Sequence, residues 1–419
     1  MKRFLSILPL CASLLALSCT APSAKTTIEF WTLQLSPTFN EYFNSLIAAY
    51  EKEHPEVHIR WVDVPYDAAI QKLLSSAVAG NAPDVVNLSA DFLAKFNGMN
   101  AFADLSAAVS KSGQHFLPNA LDLCSFNGKL VALPWYLNTY VVLYNKELIR
   151  TAGFSEKEIP ATFKELIPFI REYKRRTGKF AFFWNIGKDS YLPMMLGSEN
   201  IPMTDASMTK AVFNSPEGDS TIAEWVRLYK EGCLQSESVI KPGSTIVEAY
   251  QSGQVAMIFT GPVFLKRIKS NAPSIYERTG VAPAVVGKSG KHELAAMSLS
   301  VLSSSSHQTE ASDFALFVTN AANQLAFSKL TTTFPSVTEA LRDSFFSSDD
   351  GSVTSKARRM GAEQLPNAGR LRTYLLHPNF DRLRDAYDEA IQRACLKDVP
   401  VRGSLDKAAD EWNTILNER

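Results

Sequence analysis

Two aromatic residues and an amide lie close together in the segment 133–146, whose sequence is LPWYLNTYVVLYNK. Trp135 and Tyr136 stand just before Asn138, and an apolar run follows. Aromatic faces pack against the C–H faces of a sugar ring, while an amide exchanges hydrogen bonds with its hydroxyls. The segment therefore predicts one wall of a carbohydrate site. Two rings of an ordinary hydrophobic core would give the same pattern, so that alternative stays open.

The elements before this segment alternate between strands and helices. Strands are predicted at 28–32, 57–64 and 84–88, and the helices between them repeat their apolar residues every three or four positions. This alternation predicts an α/β fold with mostly parallel sheets flanked by helices. Such sheets bind ligands beyond the carboxyl ends of their strands. The residues to watch are therefore those that follow the strands, among them Gln34, Ser89, Asp91 and Asn138.

A second group of strands and helices follows. Its helix at 163–176 is predicted from a capping box formed by Thr162 and Glu165, and Gly178 ends that helix. Further strands are predicted at 140–144, 180–184, 255–259 and 298–302, and one long helix is predicted at 310–329. The stretch 343–369 is rich in serine, charge and glycine, and two more helices are predicted after it.

The chain is predicted to pass between two lobes more than once, which makes a hinge and allows closure around a ligand. The N-terminal lobe is assigned to 27–138 and 284–342. The C-terminal lobe and closing helices are assigned to 139–283 and 343–419. The turn at Gly261, between Thr260 and Pro262, is either a structural turn or a place where the backbone approaches a ligand.

The N-terminus has the pattern of a secretory signal. Lys2 and Arg3 precede an apolar run that is too short for a membrane span, and residues 1–18 are assigned to a signal peptide. Cys19 resembles the lipidated cysteine of bacterial lipoproteins, and 19–26 would be its tether. Plain secretion is the alternative, because Ala16 and Ser18 also fit a cleavage site.

The charge balance and the cysteines limit the kinds of partner and site that this sequence can have. Removing Lys2 and Arg3 from the 43 basic residues leaves 41 against 43 acidic ones, so no nucleic-acid partner is expected. Cys124, Cys233 and Cys395 are far apart and allow one disulfide at most. Neither a metal site nor a cofactor is predicted.

Five sequence segments, taken in order, resemble the family-1 extracellular solute-binding proteins, the maltose-binding-protein-like receptors of ABC importers. They are FWT at 30–32, PDVVNL at 83–88, LPWYLNTYVVLYNKELIRTAGF at 133–154, AMIFTGP at 256–262 and FPS at 334–336. The resemblance implies a two-lobed, type II periplasmic-binding-protein fold. It also implies a monomeric receptor that carries a sugar to a permease and its ATPase without changing it. Together with the N-terminal signal and Cys19, this predicts an exported protein that is lipid-anchored on the periplasmic side.

The family's ligand-contacting positions can be transferred residue by residue. The resemblance places them at Trp31, Gln34, Ser89, Asp91, Trp135, Tyr136, Asn138 and Gly261, with looser equivalents at Trp184 and Tyr191 and the loosest at Tyr374 and Phe380. Asp91 has an alternative role as the cap of a helix beginning at Phe92.

This sequence departs from the family pattern at two places. Val263 stands where many members have a tryptophan, and 295–297 reads Ala-Ala-Met where a glycine pair and an aromatic are common. An expected stacking platform is therefore missing unless Trp184 or Tyr191 replaces it, and the ligand could be smaller than an oligosaccharide or not a sugar.

Two alternative functions stay open. One is the same fold binding a polyol phosphate such as glycerol 3-phosphate, for which Lys146, Lys188 and Arg370 are the candidate cations; Arg372 could also meet an anion. The other is an exported carbohydrate-active enzyme. The G-x-S-x-G, G-x-G-x-x-G and H-E-x-x-H motifs are absent from the sequence, but a glycosidase needs only two suitably spaced carboxylates.

Overall fold

The computed structural model describes residues 25–241, 245–397 and 399–418. Within these ranges the strands are β1 Thr26–Leu33, β2 Val57–Val64, β3 Val85–Ser89, β4 Ser125–Phe126, β5 Lys129–Leu130, β6 Leu133–Asn138, β7 Val141–Asn145, β8 Phe180–Phe183, β9 Val255–Thr260, β10 Thr279–Ala282, β11 His292–Glu293, β12 Ala295–Val301, β13 Phe334–Pro335 and β14 Ala368–Gly369.

The α-helices in the same ranges are α1 Asn40–Glu53, α2 Ala69–Val78, α3 Ala90–Asn97, α4 Ser106–Ser112, α5 Pro118–Leu123, α6 Lys146–Thr151, α7 Phe163–Thr177, α8 Leu192–Ser198, α9 Pro216–Lys230, α10 Glu237–Ile240, α11 Ile246–Gln251, α12 Leu265–Asn271, α13 Pro273–Glu277, α14 Gln308–Val318, α15 Ala321–Thr331, α16 Thr338–Leu341, α17 Val353–Gln364, α18 Phe380–Leu396 and α19 Val401–Leu416. Short 3₁₀ helices include Tyr66–Ala68, Pro262–Phe264 and Thr373–Leu376.

The strands form two main sheets. The six-stranded sheet has the order β13-β6-β12-β3-β1-β2, and the four-stranded sheet has the order β10-β7-β9-β8. In the first, β1 is parallel to β2 and β3, whereas β12 runs antiparallel between β3 and β6. In the second, β9 is parallel to β8 and antiparallel to β7. The pairing is therefore mixed rather than mostly parallel, because β7 and β12, which follow chain crossings, run against their neighbours.

Each sheet has its own hydrophobic core, so the molecule has two lobes. Trp135 and Phe30 are central in the core of the first lobe, and Trp184 and Trp225 are central in that of the second. Except for Thr26, every strand of the six-stranded sheet lies inside the ranges predicted for the N-terminal lobe, and the four-stranded sheet lies inside 139–283. The lobe limits themselves stay a prediction.

The segments that join the lobes are bound to one another. The first joining segment lies between β6 and β7. Its Thr139 Oγ1 is 3.0 Å from Nδ1 of His292, which lies on the second joining segment. The second joining segment contains β11, which pairs in parallel with β14 in the segment that follows α17. Helix α17 packs against β7 and β10 of the second sheet. The chain crossings therefore meet in one place, as a hinge requires.

The predicted helix at 163–176 is confirmed by α7, and the predicted helix at 310–329 is corrected. Thr162 and Glu165 form the capping box of α7, and Gly178 ends it with φ +69°. The region 310–329 contains two helices, α14 and α15, because the Asn320 side chain accepts a hydrogen bond from the backbone N–H of Asn323 and begins a new helix.

Candidate functional site

A cleft of about 500 Å³ lies between the two lobes. Its first-lobe wall comes from the ends of β3 and β6 and from β12. The facing wall comes from the 3₁₀ helix Pro262–Phe264, which follows β9 of the second sheet, and the hinge strand β11 contributes a third side. Residues just beyond the strand ends of both sheets therefore share one space, as α/β sheets generally arrange their sites.

Ser89 and Asp91 both line this cleft. Ser89 ends β3 and occupies the N-cap position of α3, which begins at Ala90. Asp91 is therefore inside the first turn, and the alternative that it caps a helix starting at Phe92 is wrong. Among the described residues, no hydrogen bond or salt bridge engages the Asp91 carboxylate. It is free to accept hydrogen bonds from a ligand.

Asn138 ends β6 and reaches the second lobe. Its amide lies against Gly261, where any Cβ would overlap the Asn138 side chain. Asn138 Oδ1 is buried and has no hydrogen-bond partner in the described part of the chain. A buried carbonyl oxygen left without a donor costs on the order of 1–3 kcal/mol, so Oδ1 is placed to accept from a ligand. Gly261 does not line the cleft; its small size makes room for Asn138.

A loosely held ion pair lines the hinge side of the cleft. Glu293 on β11 is 4% exposed, and its Oε1 lies 3.6 Å from Nε of Arg372. That separation is too long for a hydrogen bond. Glu293 Oε2 accepts one hydrogen bond, at 3.2 Å, from the backbone N–H of Leu371. Arg372 Nε is buried and has no acceptor among the described residues. The pair keeps both donor and acceptor capacity for a ligand.

The charges in the cleft influence one another. Burial raises the pKa of Glu293 above its ordinary value, and the guanidinium of Arg372 offsets part of that effect. Burial opposes the charged form of Arg372, but the carboxylates of Glu293 and Asp91 outweigh it and raise the pKa of Arg372. Arg372 is therefore held as a cation between two acidic side chains.

Arg370 also lines the cleft, but its guanidinium is partly committed to the protein. It donates to the backbone carbonyls of Asp122 and Leu123 at 3.2 and 3.0 Å. Burial lowers the pKa of Arg370 from its ordinary value. These hydrogen bonds link the segment after β14 to the end of α5. Arg372 therefore has more unused hydrogen-bonding capacity than Arg370.

Three aromatic rings border the cleft. Tyr136 contributes from β6, Tyr66 from the 3₁₀ helix before α2, and Phe264 from the second lobe. Val263 also lines the cleft, at the position where the sequence departs from its family pattern. Phe264, one residue further along, supplies an aromatic side chain on that wall. Phe264 is therefore a candidate replacement for the stacking platform that the sequence predicts to be missing.

Two predicted contacts from the first strand lie away from the cleft. The Trp31 indole is 4% exposed, donates from Nε1 to Glu29 Oε1 at 2.6 Å, and lies beneath the Lys72 ammonium, 4.8 Å from the ring centroid. Gln34 is exposed, with φ +56°, and does not line the cleft. The alternative that Trp31 is a structural residue fits this placement.

Three more predicted contacts are packed within the lobes. Trp135 is fully buried and stacks on Phe327 with the ring centroids 5.1 Å apart. Trp184 is also fully buried, between Trp225 at 4.8 Å and Tyr191 at 6.2 Å. None of Trp135, Trp184 and Tyr191 lines the cleft. The core alternative given for Trp135 fits this placement, and the Trp184 indole likewise fills a lobe interior.

The loosest candidates also lie outside the cleft. Tyr374 packs on Trp412 in the second-lobe core, and Phe380 is 3% exposed. Lys146 begins α6 and lines a separate surface depression, and Lys188 lies 3.7 Å from Asp385. Of the three candidate phosphate-binding cations, only Arg370 lines the cleft.

Several residues that line the cleft are not among the predicted contacts, and the most relevant to binding are Tyr66, Glu293 and Phe264. Tyr66 sits in a short 3₁₀ turn between predicted elements, so no strand end pointed to it. Glu293 precedes the strand predicted at 298–302 and follows no predicted strand end, so the strand ends did not point to it. Phe264 follows the Gly-Pro turn at 261–262, which marked the right place but not the ring.

The predicted signal peptide and Cys19 lie outside the described residues. Where the chain is described, none of its helices has the length and apolar character needed to cross a membrane. Cys124, Cys233 and Cys395 are buried free thiols. Burial raises the pKa of Cys124 to about 12.

A family model and a solved structure match most of the chain. The model, described as bacterial extracellular solute-binding protein, matches residues 45–353. The solved structure is a putative oligosaccharide periplasmic-binding protein from Synechococcus sp. MITs9220. It is 32% identical with a TM-score of 0.84, covering 93% of this chain and 98% of that one.

Two further relatives have lower sequence identity. The galactooligosaccharide-binding protein of Bacillus subtilis (strain 168) is 24% identical over 382 residues, which are 87% of this chain and 84% of that protein. The sn-glycerol-3-phosphate-binding periplasmic protein UgpB of Escherichia coli (strain K12) is 24% identical over 94% of this chain and 93% of its own.

Proposed function

The chain belongs to the bacterial extracellular solute-binding proteins, and from that membership we propose that it captures a sugar or oligosaccharide between its lobes and delivers it to the permease of an ABC importer. The two-lobed periplasmic-binding fold predicted from the sequence is confirmed by the Synechococcus relative. The observation that carries the proposal is one cleft in which aromatic rings stand beside hydrogen-bonding groups that the protein itself leaves unused.

The cleft chemistry suits a polyhydroxylated ring. Tyr136 and Phe264 offer apolar faces from opposite lobes. Asp91 and Asn138 Oδ1 can accept hydrogen bonds from hydroxyls, and Arg372 Nε can donate to one. A hydroxyl both donates and accepts, so adjacent hydroxyls of one sugar can use both kinds of group. The ligand specificity in the name of the Bacillus subtilis relative supports a saccharide.

The balance of charge favours a neutral ligand over a phosphate ester. The cations Arg370 and Arg372 line the cleft together with the carboxylates Asp91 and Glu293. A phosphate would have to approach both carboxylates as well as the guanidinium groups. Binding of glycerol phosphate, which the name of the Escherichia coli relative suggests, therefore stays the second candidate function. Arg372 would be the best-placed cation for the phosphate.

Affinity must come from closure of both lobes. A micromolar dissociation constant corresponds to about −8.2 kcal/mol, and an aromatic contact contributes roughly 0.5–1.5 kcal/mol beyond the area it buries. Tyr66, Tyr136 and Phe264 together fall short of the required value. The remainder has to come from apolar area removed from water and from hydrogen bonds formed in a closed, drier cleft.

The finer features of the receptor belong to the same proposal. The protein acts as an exported monomer, tethered by lipid on Cys19 on the periplasmic side, and leaves its ligand unaltered. The extracellular family and a relative that is a lipoprotein support this arrangement. The ligand contacts are Ser89, Asp91, Tyr136 and Asn138 from the predicted set.

A thermal-shift screen tests the function directly. Ligand-stripped protein is screened against sugars, polyols and phosphate esters, since a ligand that binds only the folded form raises the melting temperature. We expect a saccharide to give the largest shift and to be recovered intact at one molecule per chain. A shift with glycerol phosphate alone would favour the second candidate, and release of shorter sugars would support an enzyme.

A further inference from the structure

A second space of about 400 Å³ adjoins the ligand cleft. We call it the outer compartment and define it by the apolar residues Leu35, Phe39, Val263, Phe327 and Leu330, together with Tyr136. We propose that the outer compartment binds an apolar substituent, such as an aryl or alkyl group, carried by the same sugar that occupies the cleft. The inference rests on the proposed function and specifies its substrate class.

The outer compartment and the cleft adjoin each other. Tyr136, Val263 and Thr333 line both spaces. A ligand whose sugar ring contacts the cleft face of Tyr136 can therefore extend past Val263 without leaving the protein. Both lobes contribute to the outer compartment, as they do to the cleft. Closure would then bring its walls together around whatever the sugar carries.

The first-lobe side of the outer compartment is mainly apolar, and Val263 adds one apolar residue from the second lobe. Leu35, Phe39, Phe327 and Leu330 come from the first lobe, and Val263 comes from the second. Leu330 is 47% exposed, although a leucine on α15 could have packed inward. An exposed leucine beside buried rings is apolar surface that a ligand can remove from water.

The hydrogen-bonding groups of the two spaces differ in kind. The cleft has Asp91, Asn138 and Glu293, whereas no carboxylate or amide side chain of the described residues lines the outer compartment. Its polar lining consists of hydroxyls and of the cations Lys266 and Arg267, and Arg267 is paired with Glu248. A further sugar ring would leave hydroxyls without strong acceptors there, whereas an apolar group needs no acceptor.

Matched glycosides test the proposal. For each sugar that raises the melting temperature, the affinities of its methyl and phenyl glycosides are measured by isothermal titration calorimetry. We expect the phenyl glycoside to bind at least tenfold more tightly, which is about 1.4 kcal/mol. Equal affinities would overturn the inference while leaving the sugar site in place.

Two leucine variants localise the effect. Leu330→Asp puts a charge into the outer compartment, and Leu396→Asp changes a leucine that is similarly exposed, 53%, at the end of α18. We expect the preference for phenyl glycosides to disappear in the first variant and to persist in the second. Leu330→Ser is the milder substitute if Leu330→Asp does not fold. A preference that survives every Leu330 substitution would contradict the assignment.

If no sugar binds, soaking crystals of the protein with phenol tests the outer compartment by itself. Failure of every sugar would remove the proposed function but not the apolar compartment itself. Phenol found between Leu35 and Leu330 would then support an apolar site, and its absence from that space would overturn it.

Discussion

Arg372 and Glu293 show how the cleft keeps its binding capacity. Their separation of 3.6 Å leaves Arg372 Nε without an acceptor, although the charges still attract each other. A tight bidentate pair would have been more stable and would have offered less to a ligand. Asp91 adds a second acidic group that influences Arg372, which favours its charged form. The proposed binding residues are those that the fold holds in place while leaving some of their hydrogen-bonding groups without partners.

Replacing Asp91 by asparagine tests this view at one carboxylate. We expect Asp91→Asn to weaken sugar binding at least tenfold, because hydrogen bonds to charged groups contribute roughly 1.5–3 kcal/mol. The melting temperature without ligand should fall only modestly, because Asp91 has no hydrogen bond within the described structure to lose, although its charge favours the cationic form of Arg372. Calorimetric titration and a thermal melt measure both quantities.

Asp385→Asn is the matched control, because Asp385 is exposed on α18 away from the cleft. Its sugar affinity should equal that of the unchanged protein. An unchanged affinity in Asp91→Asn would remove Asp91 from the site.

The sequence predicts which strand ends lie at the cleft more accurately than it predicts which side chains point into it. Ser89, Asp91, Tyr136 and Asn138 were predicted from strand ends and family positions, and all four line the cleft. Trp135 is instead fully buried and stacks on Phe327, at the point where the register between β6 and β12 shifts. Periodicity alone does not tell which face meets the ligand and which meets the core.

At the scale of elements, the end of β6 is fitted to the turn after β9. Asn138 and Gly261 are in contact across the lobes, and no larger residue fits at 261 without moving the amide. We expect Gly261→Ala to weaken sugar binding about tenfold by displacing Asn138, with little loss of helical content. Titration calorimetry and circular dichroism provide the two measurements.

Gly403→Ala controls for the added methyl group. Gly403 lies in α19, where a Cβ would meet nothing within 4 Å. This variant should bind normally and be slightly more stable, because alanine favours a helix over glycine. Normal binding by Gly261→Ala would show that the contact with Asn138 is not needed.

Helix α18 holds the loop after β8 through Asp388. The carboxylate accepts hydrogen bonds from the backbone N–H groups of Asp189 and Ser190 at 2.7 and 3.2 Å. Burial raises the pKa of Asp388 from 3.8 to about 7. The folded protein therefore keeps this proton over a pH range in which the unfolded chain has released it.

A pH dependence of stability follows from that difference. Between about pH 4 and 7 the folded state binds more protons at Asp388, so its contribution to the unfolding free energy falls as pH rises, by up to about 1.4 kcal/mol per pH unit. We expect the unfolding free energy, measured with urea, to fall less over this pH range in Asp388→Asn than in the unchanged protein. Asp385→Asn should keep the original slope. Identical slopes in all three proteins would refute the assignment.

Elements with strong local signals were predicted well, and elements fixed by tertiary contacts were not. The capping box of α7 and the alternation in β2 are local features of the sequence. Helix α17 lies in a stretch whose composition suggested no element, because its buried face includes the polar residues Ser355 and Arg358. The mixed sheet pairing was missed because the direction of a strand after a crossing depends on distant residues.

At the scale of the whole molecule, closure is the motion that the hinge supports. The crossing segments meet at His292 and in the β11-β14 pair, which leaves the two cores separate. We expect a bound sugar to reduce the radius of gyration measured by small-angle X-ray scattering, because the lobes approach each other. A sugar that gives no thermal shift should leave the radius unchanged. No change with a ligand that binds would show that the cleft fills without closing.

The most direct test is a crystal structure of the protein with the saccharide that gives the largest thermal shift. The account predicts one intact saccharide between the lobes, with hydroxyls bonded to Asp91, Asn138 and Arg372 and a ring face on Tyr136 or Phe264. A saccharide bound outside this cleft, or present only as cleaved fragments, would contradict it.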